Sequence, residues 1–116
     1  MTGIRDIEIP AINENEVLIR VKCAGVCGSD LHAYRGVHAF RKPPLILGHE
    51  LTGIIVDKGR NVKQFSKGDR VAVMPQISCG QCKLCLSGYQ NLCKEKKVPG
   101  MRQWVGAFAE YFNSPE

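Results

Sequence analysis

The sequence predicts a mostly β fold, a barrel or a sandwich, with short helices and one cysteine-rich excursion between strands. Several short segments alternate apolar and polar residues, as half-buried strands do, and turns containing glycine or proline separate them. Only brief stretches have helical character. At 116 residues the chain has the length of one domain, and its 44% hydrophobic and 23% charged residues are typical of a globular protein.

The segment EVLIRVKCAGV (16–26) is the clearest predicted strand, because its odd-numbered residues from Val17 to Cys23 share one face. Cys23 is therefore expected to pack within this strand. The three further predicted strands are LTGIIVDKG (51–59), KGDRVAVMP (67–75), where a Gly-Asp turn precedes Val71 and Val73, and GAFAEYFNSP (106–115). Short strands separated by glycine and proline turns favour a barrel or a sandwich.

Two short segments are predicted to be helical. SDLHAYRG (29–36) begins with residues that can cap a helix, and either Ser29 or Asp30 could do so. Part of QCKLCLSG (81–88) could form a further turn of helix. We find no internal repeat and no low-complexity segment.

Four of the six cysteines lie close together with the spacing C-x2-C-x2-C-x7-C: Cys79, Cys82, Cys85 and Cys93. Gaps of two residues allow consecutive thiolates to turn onto one ion, and Gly80 and Gly88 relieve the tight backbone that this requires. A site filled by four sulfurs is closed to substrate. The spacing therefore predicts a structural zinc lobe over about residues 78–97.

Two alternatives to zinc remain at this lobe. Bacterial ferredoxins also carry a C-x2-C-x2-C run, which makes an iron–sulfur electron carrier a competing interpretation, although here x3-C-P does not follow the run. The cysteines could also be unliganded core residues or form disulfides. Clustered cysteines in a reducing cytoplasm, however, are typical of metal sites.

Net charge and hydropathy limit the classes of partner. The formal charge of +5 is spread along the chain except for a small group at Lys94, Lys96 and Lys97, so we expect no nucleic-acid partner. Those lysines would offset the negative charge of four thiolates on one divalent ion. No apolar run is long enough to span a bilayer and no secretory signal is found, which predicts a cytoplasmic protein without a membrane partner.

A second group of candidate ligands consists of Cys27 in VCGSDLH and of His49 and Glu50 in LGHE. Thiolate, imidazole and carboxylate are all zinc ligands. Spacing alone is weak support, because a cysteine and a histidine 22 positions apart are more often a buried thiol and a hydrogen-bonded imidazole.

Five motifs in order carry a family resemblance: GVCGSDLH, GHE, GDRV, the four-cysteine run and FAEY. Together they resemble the N-terminal, GroES-like catalytic domain of the zinc-containing medium-chain alcohol dehydrogenases, in the sorbitol and threonine dehydrogenase branch. The resemblance covers nearly all of residues 1–116 and implies a GroES-like β-barrel. It also implies hydride transfer between an alcohol or polyol and NAD or NADP.

The resemblance assigns metal ligands by position. Cys27 and His49 match ligands of a catalytic zinc, and Glu50 matches an adjacent glutamate that coordinates the metal in the sorbitol dehydrogenase branch. Asp30 matches the carboxylate that orients the ligand histidine. The structural-zinc ligands of the family match Cys79, Cys82, Cys85 and Cys93.

Other residues of the same motifs match proton-handling groups. Ser29 matches the hydroxyl that contacts the substrate and relays its proton, and His32 matches the histidine that passes protons towards solvent. Outside the family, Ser29 would be a helix cap and His32 a surface residue. Phe40 and Trp104 could line the substrate cleft, although packing is the simpler interpretation of both.

One expected part of a complete dehydrogenase is missing. The sequence has no G-x-G-x-x-G motif and no room for the βαβ repeats of a dinucleotide-binding domain. We therefore expect an excised domain, inactive alone, from a parent that is a homodimer or homotetramer. The rival interpretation is a non-enzymatic zinc-binding interaction module, which would hold zinc at the four cysteines only.

Overall fold

The structure is a computed structural model that describes residues 3–101 and 104–116. Four strands form one antiparallel sheet in the order β3-β2-β1-β4. Their bounds are Glu16–Gly25 for β1, Glu50–Lys58 for β2, Arg70–Ala72 for β3 and Tyr111–Pro115 for β4. The prediction of a mostly β fold with a few short helices is confirmed.

The helices are short, as expected. They are α1 (Gly28–Tyr34), α2 (Lys83–Leu86) and a 3-10 turn at Gln90–Leu92. The first helix begins one residue earlier than predicted, with Cys27 as its N-cap residue. Asp30 rather than Ser29 stabilises this end, because its Oδ2 accepts the Cys27 amide at 3.0 Å.

The alternation predicted for the first strand ends before Cys23. Val17 and Ile19 are buried and Arg20 is exposed, as the pattern required. The pairing of β1 with β2 then shifts between Val21 and Cys23, and Cys23 is exposed. A bulge inserts one unpaired residue and breaks the period of two, so the prediction that Cys23 packs within the strand was wrong.

The third and fourth strands are shorter than predicted. Before β3, Gly68 has φ +95°, in keeping with the turn predicted ahead of Val71, and the strand then ends at Ala72 rather than Pro75. Before β4, Gly106 and Phe108 donate backbone hydrogen bonds to the carbonyls of Ile46 and Leu47. Residues 106–108 therefore pair with the segment that leads to His49 rather than with the sheet.

The core lies on one face of the sheet, where β1, β2 and β4 meet the loop residue Trp104. The indole Nε1 donates to the carbonyl of Asn113 at 2.8 Å, and the ring packs on Phe112 with centroids 5.4 Å apart. The buried apolar residues of this core are Val17, Ile19, Leu51, Ile55, Val62, Trp104, Ala107 and Phe112. Across the described ranges, none of the helices has the length and apolar character needed to cross a membrane.

Candidate metal centres

The four predicted thiols converge in the structure. One Sγ from each of Cys79, Cys82, Cys85 and Cys93 lies within 4.8 Å of the others. The Cys82–Cys85 and Cys79–Cys85 sulfurs are 3.5 Å and 3.9 Å apart. Tetrahedral zinc with bonds of about 2.3 Å requires sulfurs about 3.8 Å apart, so the thiols fit one ion. Cysteines on different irons of a cluster would lie farther apart.

In this four-cysteine lobe (residues 78–97) the backbone surrounds the thiols. Cys82 is the N-cap residue of α2 and Cys85 lies within it. Gly80 and Gly88 have φ +71° and +85°, in agreement with the tight backbone predicted at these two glycines. An antiparallel bridge between Ile77 and Lys97 closes the base of the lobe.

The thiols of the lobe differ in their protonation. Backbone amides of Gln81 and Cys82 point at the Cys79 sulfur and lower the pKa of this thiol to about 6. Burial raises the pKa of the Cys85 thiol to about 11. Because the thiolate is the form that binds metal, the lowered pKa favours the metal-binding form of Cys79, whereas Cys85 must lose its proton when an ion binds.

A second cluster joins residues that are far apart in the sequence. Ligand atoms of Cys27, His49 and Glu50 lie within 4.8 Å of one another; we call this cluster the Cys27 site. Cys27 lies between β1 and α1, and Glu50 begins β2. The two strands pair antiparallel with Gly25 opposite Glu50, so the sheet brings these ligands together.

Gly25 makes room for the Glu50 carboxylate. A Cβ on Gly25 would lie 2.7 Å from Glu50 Oε2 and 3.3 Å from its Cβ. Three protein ligands with a fourth position open is the donor set of catalytic rather than structural zinc sites. The residues of the Cys27 site therefore fit a zinc ion by their chemistry and by their spacing.

Asp30 is a buried carboxylate beside the Cys27 site. Its side chain is 2% exposed, and its Oδ1 lies 3.5 Å from Nδ1 of His49. That nitrogen is buried and has no hydrogen-bond partner among the residues described. A carboxylate facing Nδ1 leaves Nε2 as the nitrogen available to a metal, which is the arrangement typical of zinc-bound histidines.

Arg41 is a residue of this region that the sequence does not single out. Its side chain is buried, with Nη1 at 2.9 Å from Ser29 Oγ and at 3.1 Å from Asp30 Oδ1. A further nitrogen, Nη2, donates to the carbonyl of Pro99 at 3.3 Å. No local signal identifies Arg41, because an arginine beside Lys42 in a proline-containing loop is expected in solvent.

The remaining candidates are placed as follows. Ser29 is half-buried on α1 and accepts the hydrogen bond from Arg41, while His32 lies one turn further along and is exposed. Phe40 is 73% exposed in the loop before Arg41. Trp104 belongs to the core described above, as the simpler interpretation predicted.

The chain is similar to known dehydrogenases. The family model "Alcohol dehydrogenase GroES-like domain" matches residues 13–116. L-galactonate-5-dehydrogenase of Escherichia coli (strain K12) is 44% identical over 108 residues, which is 93% of this chain and 32% of that protein. Sorbitol dehydrogenase of Bacillus subtilis (strain 168) is 45% identical over 112 residues, or 93% of this chain and 31% of that protein.

A solved structure is similar in fold as well. A candidate zinc-binding dehydrogenase of Sinorhizobium meliloti 1021, bound to NADP, has a TM-score of 0.86 and 37% sequence identity, covering 96% of this chain and 32% of that one. The chain thus spans about a third of the length of the curated relatives it matches.

Proposed function

Because this chain belongs to the alcohol dehydrogenase GroES-like domain family, we propose that it is the catalytic domain of a zinc-dependent oxidoreductase. The proposed enzyme transfers hydride between an alcohol or polyol and NAD or NADP. The observation that carries the proposal is the convergence of Cys27, His49 and Glu50 at one point beside the buried Asp30. Three ligands that leave a position open are suited to reaction with a substrate.

In this proposal Cys27, His49 and Glu50 hold the catalytic zinc. Zinc with an open coordination position polarises a substrate hydroxyl and lowers its pKa. Asp30 holds the imidazole of His49 so that Nε2 faces the metal. Glu50 occupies the space that Gly25 leaves.

Ser29 and His32 handle the substrate proton. The oxygen of Ser29 accepts the proton of the substrate hydroxyl, and Ser29 passes its own proton on towards His32 and solvent. The two residues are three positions apart on α1, so both side chains lie on the same side of the helix. The exposure of His32 suits an exit to water.

The four-cysteine lobe holds a second, structural zinc. Its four sulfurs leave no open position, and the ion stabilises a loop with little regular secondary structure. The parent protein also carries a dinucleotide-binding domain and assembles as a homodimer or homotetramer; the coverage of about a third of each relative supports a longer parent.

The proposal extends to substrate and location. The similarity to sorbitol and L-galactonate dehydrogenases supports a polyol or a related sugar derivative as substrate. We propose a cytoplasmic enzyme without nucleic-acid or membrane partners. Six free cysteines support this location, because an oxidising compartment favours disulfides.

The experiment that tests the proposal is metal analysis of the chain and of Cys27→Ser. We expect two zinc ions in the wild type and one in the variant, with the circular dichroism spectrum unchanged. Cys23→Ser is the matched control, since Cys23 is exposed and belongs to neither site. It should retain both ions.

Each alternative predicts a different result. A non-enzymatic zinc module would hold one zinc in both the wild type and Cys27→Ser. An iron–sulfur carrier would contain iron and absorb visible light. Two zinc ions retained by Cys27→Ser would remove the catalytic assignment.

A further inference from the structure

Arg41 carries a permanent positive charge close to the Cys27 site. Its side chain is 3% exposed, and Nη1 contacts both Ser29 and Asp30. A guanidinium donates hydrogen bonds, accepts none and does not lose its proton in proteins. Whatever Arg41 contacts must therefore act as an acceptor towards it.

This constraint fixes the hydrogen bonding of Ser29. A hydroxyl has one proton and two lone pairs, and Arg41 Nη1 occupies one lone pair at 2.9 Å. The Ser29 proton must then point to another acceptor, and the second lone pair stays available to a substrate hydroxyl. The hydroxyl is thereby oriented before a substrate binds.

The same nitrogen also fixes Asp30. Oδ1 of Asp30 accepts from Arg41 Nη1 at 3.1 Å and from the Gly48 amide at 3.4 Å, while Oδ2 accepts the Cys27 amide. These contacts hold the carboxylate from both sides, so that Oδ1 stays beside His49. Arg41 therefore touches both residues that we propose to orient the substrate and the metal ligand.

Arg41 is itself held from two directions. Nδ1 of His38 accepts the backbone amides of Phe40 and Arg41, both at 3.1 Å, which tightens the turn that precedes the arginine. At its other end, Nη2 donates to the carbonyl of the buried Pro99, just beyond the four-cysteine lobe. The guanidinium is thus a fixed support rather than a mobile surface group.

We propose that Arg41 is a positioning residue of the Cys27 site, which holds the Ser29 hydroxyl in one orientation and the Asp30 carboxylate against His49. The inference rests on the proposed function, because it assumes a metal at Cys27, His49 and Glu50. Arg41 acts through Ser29 and Asp30, the two side chains that its guanidinium contacts. Its effect should be visible in the metal site itself, without any assay of the complete enzyme.

The test uses Co²⁺ as a visible probe of the Cys27 site. The four-cysteine lobe is first filled with one equivalent of zinc, and Co²⁺ is then titrated while visible absorption is recorded. Arg41→Lys keeps the charge, but a single ammonium cannot reproduce the planar fork that reaches Ser29, Asp30 and Pro99. We expect Co²⁺ affinity to fall about tenfold and the absorption band to change in shape.

Arg35→Lys is the matched control, since it makes the same chemical change at an exposed position at the end of α1. It should bind Co²⁺ as the wild type does. The double variant Arg41→Lys/Asp30→Asn separates positioning from general stability. If Arg41 acts through Asp30, the double variant is no weaker than Asp30→Asn alone, whereas additive losses would indicate an unspecific structural effect.

The outcomes distinguish the two proposals. If the wild type binds no Co²⁺ beyond the zinc-filled lobe, or if Cys27→Ser binds it equally well, the proposed function and the role of Arg41 both fail. If Cys27→Ser loses Co²⁺ but Arg41→Lys matches the wild type in affinity and spectrum, only the role of Arg41 fails. Arg41→Gln serves as the second variant, and wild-type Co²⁺ binding by either folded variant contradicts the proposal.

Discussion

In the four-cysteine lobe all ligands come from one short stretch of chain, whereas the ligands of the Cys27 site come from the ends of two paired strands. The lobe contains four residues of α-helix and a 3-10 turn, and its base is a single bridge between Ile77 and Lys97. The Cys27 site is framed by β1, β2 and a buried ion pair. We therefore propose that the lobe depends on an ion for its shape, while the Cys27 site depends on the fold.

This difference predicts opposite consequences of losing a metal. Metal binding by a loop without its own core is largely folding free energy. A site on a hydrogen-bonded sheet keeps its geometry when the ion leaves. Four changes, ordered from the largest expected effect to the smallest, test the contrast.

Cys93→Ser should have the largest effect. Cys93 is 1% exposed and its sulfur accepts the Cys79 amide, so the change removes a buried candidate ligand of the lobe. The variant should lose much of the zinc-binding free energy, which is about 10–16 kcal/mol for such sites. In hydrogen exchange followed by mass spectrometry, residues 78–97 should lose protection while β1 and β2 keep theirs. Uniform loss of protection across the sheet would contradict the separation of the two regions.

Asp30→Asn should be next in size. It removes the charge that pairs with Arg41 in an environment where both side chains are almost fully buried. Leaving one partner of a buried pair uncompensated costs about 3–5 kcal/mol of unfolding free energy. Urea denaturation measures this loss. The matched control is Asp57→Asn, which breaks the exposed Asp57–Lys67 pair and should cost far less.

Gly25→Ala should affect the metal more than the fold. The new methyl group would lie 2.7 Å from Glu50 Oε2, too close for contact, so the carboxylate must shift from its place beside Cys27 and His49. We expect Co²⁺ affinity at the Cys27 site to fall about tenfold, equivalent to about 1.4 kcal/mol. Gly28→Ala is the control, because a Cβ there meets no atom within 4 Å. Equal effects of the two variants would show that Glu50 is not held by this contact.

His38→Asn should have the smallest effect, visible as a change in pH dependence. Burial is the largest cause that lowers the pKa of His38 below 6.5. The charges of Arg41, His32 and Lys42 lower this pKa further, and Asp30 has a weaker opposing effect. His38 therefore binds a proton more readily in the unfolded state than in the folded state. The contribution of His38 to stability is complete above about pH 6.5 and falls as the pH drops through the lowered folded pKa.

Asparagine offers a side-chain acceptor for the Phe40 and Arg41 amides but does not titrate. The drop in the urea midpoint between about pH 7 and about pH 5.5 should be smaller in His38→Asn than in the wild type. His32→Asn is the comparison variant: its exposed imidazole accepts neither amide, but its charge contributes to the lowered pKa of His38, so it should reduce the drop less than His38→Asn does. A drop in His38→Asn as large as that of the wild type would contradict this role.

Local patterns predicted the parts of the molecule that form locally. The C-x2-C-x2-C-x7-C spacing predicted the convergence of its thiols, and the alternation from Val17 predicted β1 as far as its bulge. The bulge at Lys22 depends on how β2 pairs, which the alternation does not encode. For the same reason Cys23 was wrongly expected to pack within the strand.

The Cys27 site could not have been derived from spacing alone. Cys27 and His49 meet because β1 and β2 pair, and the resemblance to a family supplied that information before the structure did. Arg41 and Gly25 escaped prediction because each matters only through a partner distant in the chain, Asp30 for one and Glu50 for the other. Their environments are set by tertiary packing, and no local motif indicates it.

The pairing of Gly25 with Glu50 affects how the protein responds when the supply of metal changes. Since strand pairing holds Gly25 opposite Glu50, we expect a depleted pocket to keep its dimensions and to bind metal again without refolding. Under the proposed function, loss of zinc would stop catalysis reversibly, and lasting damage would begin at the lobe, where we expect the metal-free loop to become accessible to proteases.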